Sequence, residues 1–189
     1  MTTHEFILGG QKSGKSRRAE QRAADWLATS PTHRAVLIAT AQPWDDEMRE
    51  RIARHQQDRA ARVPRLRTVE EPVALAAAIT AHSAPDTLVV VDCLTLWLTN
   101  LRMPMEDREN GTLPIDAAAQ EAALLAALQA VRGPVVIVGN EIGLGVIPMG
   151  REVRAFVDAL GRLNQSVAAA CHRATLMVAG LPLTLKEPE

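Results

Sequence analysis

The chain is predicted to be one α/β domain, residues 1–189, built on a mostly parallel sheet with helices on both faces. Three observations predict it. Short apolar runs alternate with longer segments of helical periodicity along the whole chain. The central run, residues 87–91, is apolar throughout and lacks the polar alternation of a half-exposed strand, as burial on both faces of a parallel sheet requires. The first run ends in a glycine-rich turn that leads directly into a helical pattern.

In order, Glu5-Phe6-Ile7-Leu8 reads as a strand stopped by Gly9-Gly10, and residues 15–27 as a helix. Residues 35–39 form the next strand. Asp45-Asp46-Glu47 opens a helix that closes on Arg59 and Arg62, the charge order that the helix dipole favours. A Pro72-led, alanine-rich helix precedes the strand at 87–91, which delivers Asp92 at its carboxyl end. Residues 103–113 carry Pro, Gly, Asn and charges and read as an exposed, mobile loop before a helix at about 115–131. A strand at 135–138, a long helix at 151–172 and a last strand at 175–179 complete the alternation, which right-handed βαβ units would assemble.

A length of 189 residues suits one core, and no repeat, low-complexity tract or linker divides the chain. Its 47% hydrophobic and 23% charged residues are those of an ordinary globular protein. A formal net charge of -1 provides no broad field for nucleic acid or anionic lipid, so an anionic ligand should be small. Cys93 and Cys171 make neither a disulfide framework nor a zinc spacing, and no apolar run approaches a membrane span. A cytoplasmic protein without a membrane anchor is expected.

Gly9-Gly10-Gln11-Lys12-Ser13-Gly14-Lys15-Ser16 satisfies GxxxxGK[ST] between a strand and a helix, the context this phosphate loop needs. The fold is therefore expected to be of the P-loop NTPase type. The glycines let backbone N–H groups turn toward phosphate oxygens, and the helix N-terminus adds partial positive charge. Lys15 is expected at the β and γ phosphates of ATP or GTP, and the Ser16 hydroxyl on Mg²⁺. Asp92 reads either as a second Mg²⁺ ligand or as the N-cap of a helix that starts near Leu94. Asn140 and Glu141, just past a strand, read as substrate or nucleotide ligands, or as neighbours of a tight turn made by Gly143 and Gly145.

Arg51, His55 and Arg59 recur every four residues and share one helix stripe. A neutral imidazole there could attack an α-phosphate while the guanidiniums hold phosphate oxygens, but the same spacing describes any solvated helix face. His4, His33, His82 and His172 fall near element ends or surfaces and receive no role.

Several blocks together resemble one family. Besides the phosphate loop they are Ala39-Thr40-Ala41-Gln42, Asp45-Asp46-Glu47-Met48, Arg51-Ile52-Ala53-Arg54-His55 and Arg67-Thr68-Val69-Glu70-Glu71-Pro72. Further along come Val91-Asp92-Cys93-Leu94-Thr95-Leu96-Trp97-Leu98-Thr99-Asn100, Asn140-Glu141-Ile142-Gly143-Leu144-Gly145-Val146-Ile147-Pro148, Gly161-Arg162-Leu163-Asn164-Gln165 and Gly180-Leu181-Pro182. The likeness is to the bifunctional adenosylcobinamide kinase and adenosylcobinamide-phosphate guanylyltransferases of cobalamin biosynthesis. It departs from the usual pattern at Gln11-Lys12, where Ala-Arg is commoner, and at Arg65-Leu66, where a Trp often precedes the Arg-Thr pair.

The resemblance implies phosphorylation of adenosylcobinamide, then transfer of GMP from GTP onto that phosphate with release of pyrophosphate. It implies that His55 carries the GMP, and that Thr40, Ala41, Gln42, Gln56, Gln57, Asp58, Arg59, Glu70 and Asp92 contact the guanine nucleotide. It also implies a homotrimer with active sites at subunit boundaries. Two other readings stand beside it. In a plain small-molecule P-loop kinase His55 would be inert; a guanine-nucleotide switch would need an Asn-Lys-x-Asp motif, which the chain lacks.

Overall fold

The computed structural model describes residues 3–103 and 115–188. The chain runs β1 (Glu5–Gly9), α1 (Lys15–Thr29), β2 (Arg34–Ala39), α2 (Asp46–Arg62), β3 (Leu66–Glu70), α3 (Leu75–His82) and β4 (Thr87–Asp92). It continues through α4 (Leu94–Arg102), α5 (Ala117–Ala130), β5 (Val135–Val138), α6 (Arg151–Ala170), β6 (Arg173–Val178) and β7 (Leu181–Lys186). The strands form one sheet in the order β3-β2-β4-β5-β1-β6-β7, parallel except for the antiparallel β6–β7 pair.

This is the expected α/β architecture, with two elements added, β3 and β7; the helix that one reading of Asp92 started near Leu94 is α4. Most of the expected loop at 103–113 lies outside the described residues; Met103 itself is the C-cap of α4.

Residue alternation along the buried strands divides the core in two. Phe6, Ile38, Val89, Val91 and Ile137 face a layer of α3, α4, α5 and α6, with Trp97, Leu124, Leu160 and Leu163 at its centre. Ile7, Leu37, Val90, Val136 and Val138 face the other way, onto Ala19, Ala23 and Leu27 of α1. Helix α1 therefore covers most of its face alone, because small alanines let it lie close to the sheet. Helix α2 packs thinly; of its 17 residues only Arg59 is buried. Its start is capped by Asp45, which accepts from the Met48 N–H at 2.7 Å, and its end is tied to α1 by a 2.5 Å ion pair between Arg62 and buried Glu20.

The amino edge of the sheet holds His4, which sequence reading placed among the peripheral histidines but which is buried. Its Nδ1 accepts from the Val135 N–H at 3.2 Å, so Nε2 carries the proton and donates to the Leu128 carbonyl at 2.9 Å. Desolvation is the main cause that lowers its pKa from 6.5, and His172 adds to it while the Leu128 carbonyl opposes it. Below about pH 6.5 the unfolded chain binds a proton that folded His4 refuses, so folding stability falls as pH drops, by up to about 1.4 kcal/mol per unit. Urea midpoints between pH 7 and pH 5 should show this slope, and His4→Gln, which keeps a donor and an acceptor, should flatten it.

Candidate nucleotide site

The phosphate loop leaves β1 at Gly9 and enters α1 at Lys15. Two positions require glycine. A side chain on Gly9, at φ 154°, would place its Cβ 2.5 Å from Ser13 Oγ and 2.6 Å from the Met177 carbonyl oxygen, and Gly14 caps α1 at a left-handed φ of 99°. With Gly14 as cap, no side chain satisfies the first amides of α1. The loop is braced from outside: the Gly180 N–H donates to the Ser13 carbonyl at 3.1 Å from the two-residue turn between β6 and β7. Ser13 Oγ is buried and has no hydrogen-bond partner among the described residues. An unpaired buried hydroxyl among unpaired helix amides is the signature of a cradle built for an anion.

Lys15 folds back so that Nζ donates to the Gly10 carbonyl at 2.6 Å. Burial of the ammonium lowers its pKa most, with Arg51 acting in the same direction, while Cys93 and Asp92 raise it. These charges place Asp92, from the end of β4, and Arg51, from α2, around the same ammonium. The Cys93 thiol is pushed up to about 11, chiefly by burial, and is inert at neutral pH.

Asp92 is not a helix cap. Cys93 holds the N-cap position of α4 and no side chain bonds there, and the Asp92 charge acts on Lys15 instead, raising its pKa. Ser16 and Asp92 suit Mg²⁺, a hard cation that takes few protein oxygens and keeps its waters, and no cluster of three or more His, Cys, Asp or Glu competes for a metal among the described residues.

Thr40 has no polar atom to spare. Its hydroxyl donates to the Cys93 carbonyl at 2.7 Å and accepts from the Cys93 N–H at 2.8 Å, its N–H donates to the Asp92 carbonyl at 3.1 Å, and its own carbonyl accepts from Asn100 Nδ2 at 2.8 Å. It locks the ends of β2 and β4 together. Ala41 and Gln42 follow it, half-buried, at the same edge.

Between α2 and β3 lies a cleft of about 560 Å³ lined by Gln56, Arg59, Thr68 and Glu70, with Ala60, Pro64 and Leu66. Gln56 Nε2 donates to Glu70 at 3.4 Å, whereas the buried Arg59 has no ion-pair partner among the described residues. Asp58 pairs with Arg62 at 2.9 Å, and Gln57 is exposed. His55 is exposed on α2, one turn from both Arg51 and Arg59. Sequence reading gave no role at the phosphate loop to Gly180 or to Met177, which it placed only in the last strand. Both support the loop through backbone atoms, which leave no side-chain signature.

Two substitutions separate ligand-facing from structural roles. Ser13→Ala should leave unfolding of the free protein unchanged or slightly harder and weaken nucleotide binding several-fold, measured by denaturation and by titration with GTP. Thr40→Val should cost about 1–3 kcal/mol in stability, because the Cys93 N–H is left buried without an acceptor.

The solved structure of flagellar accessory protein FlaH from Methanocaldococcus jannaschii superposes with a TM-score of 0.54 over 98% of this chain and 79% of its own, at 10% identity, which bears on the fold alone. The bifunctional adenosylcobalamin biosynthesis protein CobP of Pseudomonas aeruginosa is 46% identical over 183 residues, covering 96% of either chain. The corresponding CobU protein of Salmonella typhimurium is 38% identical over 188 residues, 96% of this chain and 98% of its own. A family model described as cobinamide kinase / cobinamide phosphate guanyltransferase matches residues 5–185. With near-complete coverage by that model and by two such relatives, the chain belongs to the cobinamide kinase / cobinamide phosphate guanyltransferase family.

Proposed function

We propose that the chain phosphorylates the hydroxyl of adenosylcobinamide with ATP or GTP and then transfers GMP from GTP to the new phosphate through His55, giving adenosylcobinamide-GDP and pyrophosphate. One observation carries the reading: a phosphate loop built on glycines, with the buried Ser13 hydroxyl unpartnered among the described residues, opens a helix at the sheet edge where β4 delivers Asp92, and Asp92 and Arg51 act electrostatically on its Lys15.

In the kinase step the acceptor oxygen attacks the γ-phosphorus, the β–γ bridging bond breaks, the nucleoside diphosphate leaves and the hydroxyl proton passes to water. Lys15 and the α1 amides carry the charge that develops on the phosphate oxygens. In the nucleotidyl step a ring nitrogen of His55 attacks the α-phosphorus and pyrophosphate leaves. An oxygen of the acceptor phosphate then attacks the same phosphorus and the P–N bond breaks. Arg51 and Arg59 flank the histidine and hold α-phosphate oxygens; Gln56 and Glu70 offer a donor and an acceptor to the base. Mg²⁺, held by Ser16 and Asp92, would neutralise charge on the phosphates.

A homotrimer in the cytoplasm completes the proposal. It is supported by the thin burial of α2, which a neighbouring subunit would cover, and is tested by the mass in solution.

Incubation with α-labelled GTP should leave base-stable, acid-labile label on the wild type, as a phosphoramidate requires. His55→Ala should lose the label and at least about a thousandfold of GMP transfer while retaining kinase turnover. An unlabelled wild type that still phosphorylates cobinamide would be a plain kinase.

A further inference from the structure

The strand order sets β5 between β1, which carries the phosphate loop, and β4, which ends at Asp92. Just past β5 the backbone of Asn140 and Glu141 is fastened from three directions. The Asn140 N–H donates to Thr95 Oγ1 of α4 at 3.0 Å, and the Asn140 carbonyl accepts from Asn164 Nδ2 of α6 at 3.0 Å. The Glu141 N–H donates to the carbonyl of Gly9, the first residue of the phosphate loop, at 3.1 Å. The half-buried Glu141 carboxylate is fixed as well. Its Oε1 accepts from the Gly143 N–H at 3.0 Å, and its Oε2 has no hydrogen-bond partner among the described residues. No cation neutralises it, since none of the ion pairs among the described residues includes Glu141.

Other carboxylates at this edge of the sheet are already committed. Glu71 accepts from the N–H groups of Val73 and Ala74 at 2.9 and 2.7 Å, Glu70 lines the α2–β3 cleft and accepts from Gln56, and the Asp92 charge acts on Lys15. A carboxylate held at one oxygen, open at the other and tied through its own backbone to the phosphate loop has the attributes of a general base.

We propose that Glu141 is the general base of the kinase step, an inference that rests on the function proposed above. Its Oε2 takes the proton of the acceptor hydroxyl as that oxygen bonds to the γ-phosphorus and the β–γ bridging P–O bond breaks. The neutral carboxyl then passes the proton to water. The nucleotidyl step makes no such demand, because its acceptor is a phosphate that is already anionic at neutral pH. Glu141 therefore serves one of the two reactions and is dispensable in the other.

The test is Glu141→Gln, whose amide oxygen still accepts from the Gly143 N–H while the basic oxygen is lost. Phosphorylation of cobinamide should fall about a hundredfold or more in kcat, with KM for cobinamide and for nucleotide unchanged. Histidine labelling from α-labelled GTP, and GMP transfer to cobinamide phosphate prepared with the wild type, should proceed at the wild-type rate. Glu141→Asp, which keeps a carboxylate on a shorter arm, should recover part of the lost kcat. Glu152→Gln, which removes an exposed carboxylate from the first turn of α6, should change none of these. A Gln variant with wild-type kinase kcat, or an Asp variant no faster than it, overturns the assignment and leaves the proposed function standing. Loss of kinase and GMP transfer in equal measure overturns it by giving Glu141 a role in holding the loop. A wild type that does not phosphorylate cobinamide overturns both.

Discussion

Everything at this site depends on one constraint: several N–H groups and a hydroxyl must be held facing a common point with no internal partner. Left to itself such a loop would collapse onto its own carbonyls, as Lys15 does in part by donating to Gly10. What resists collapse is packing from behind. Gly9 leaves no room for a Cβ against Met177, and the Ser13 carbonyl is taken by the Gly180 N–H. Strand β6 and its turn are therefore the mould of the phosphate loop, although they lie about 165 residues away along the chain. The antiparallel β7 is the continuation of that turn, and Lys186 at its far end donates to the carbonyls of Ala168, Ala169 and Cys171, closing the end of α6.

The second support is the joint between β2 and β4. Thr40 and Cys93 exchange two hydrogen bonds through one hydroxyl, and Asn100 reaches back from α4 to the Thr40 and Pro72 carbonyls. Asp92 thus sits at a rigid edge, and its attraction for Lys15 partly offsets the desolvation of a buried ammonium. Under the proposed function a triphosphate would take the place of the Gly10 carbonyl as the partner of Lys15, which asks only for the lysine to swing and the carboxylate to stay.

The fold was legible where burial dictates composition. Strands β1, β2, β4 and β5 are uninterrupted apolar runs because both faces are covered, and the phosphate loop is legible because its backbone demands glycine. The edges were not. Strand β3 is Leu-Arg-Thr-Val-Glu, polar because one side meets water. Strand β7 alternates Leu181, Leu183 and Leu185 in the strand period after its neighbour's apolar run has ended, and Pro182 is tolerated because β7 is the sheet edge, where a missing N–H costs least. Thr40 is a nucleotide contact by the family resemblance alone, and only the bonds to Cys93 disclose that its hydroxyl is already used. His4 looked peripheral because nothing in a sequence tells a terminal histidine that its ring fills the space between Leu128 and Val135.

The two sides of the loop differ in a way that follows from which helices cover the sheet. On the α1 side, α2 stands off and leaves a cleft whose lining is polar at Gln56, Arg59, Thr68 and Glu70. On the other side the chain after β5 must travel to α6, and with its ends hydrogen-bonded it shows apolar side chains outward. The phosphate loop is where the two surfaces meet, and the Glu141–Gly9 hydrogen bond is the seam that keeps them in register.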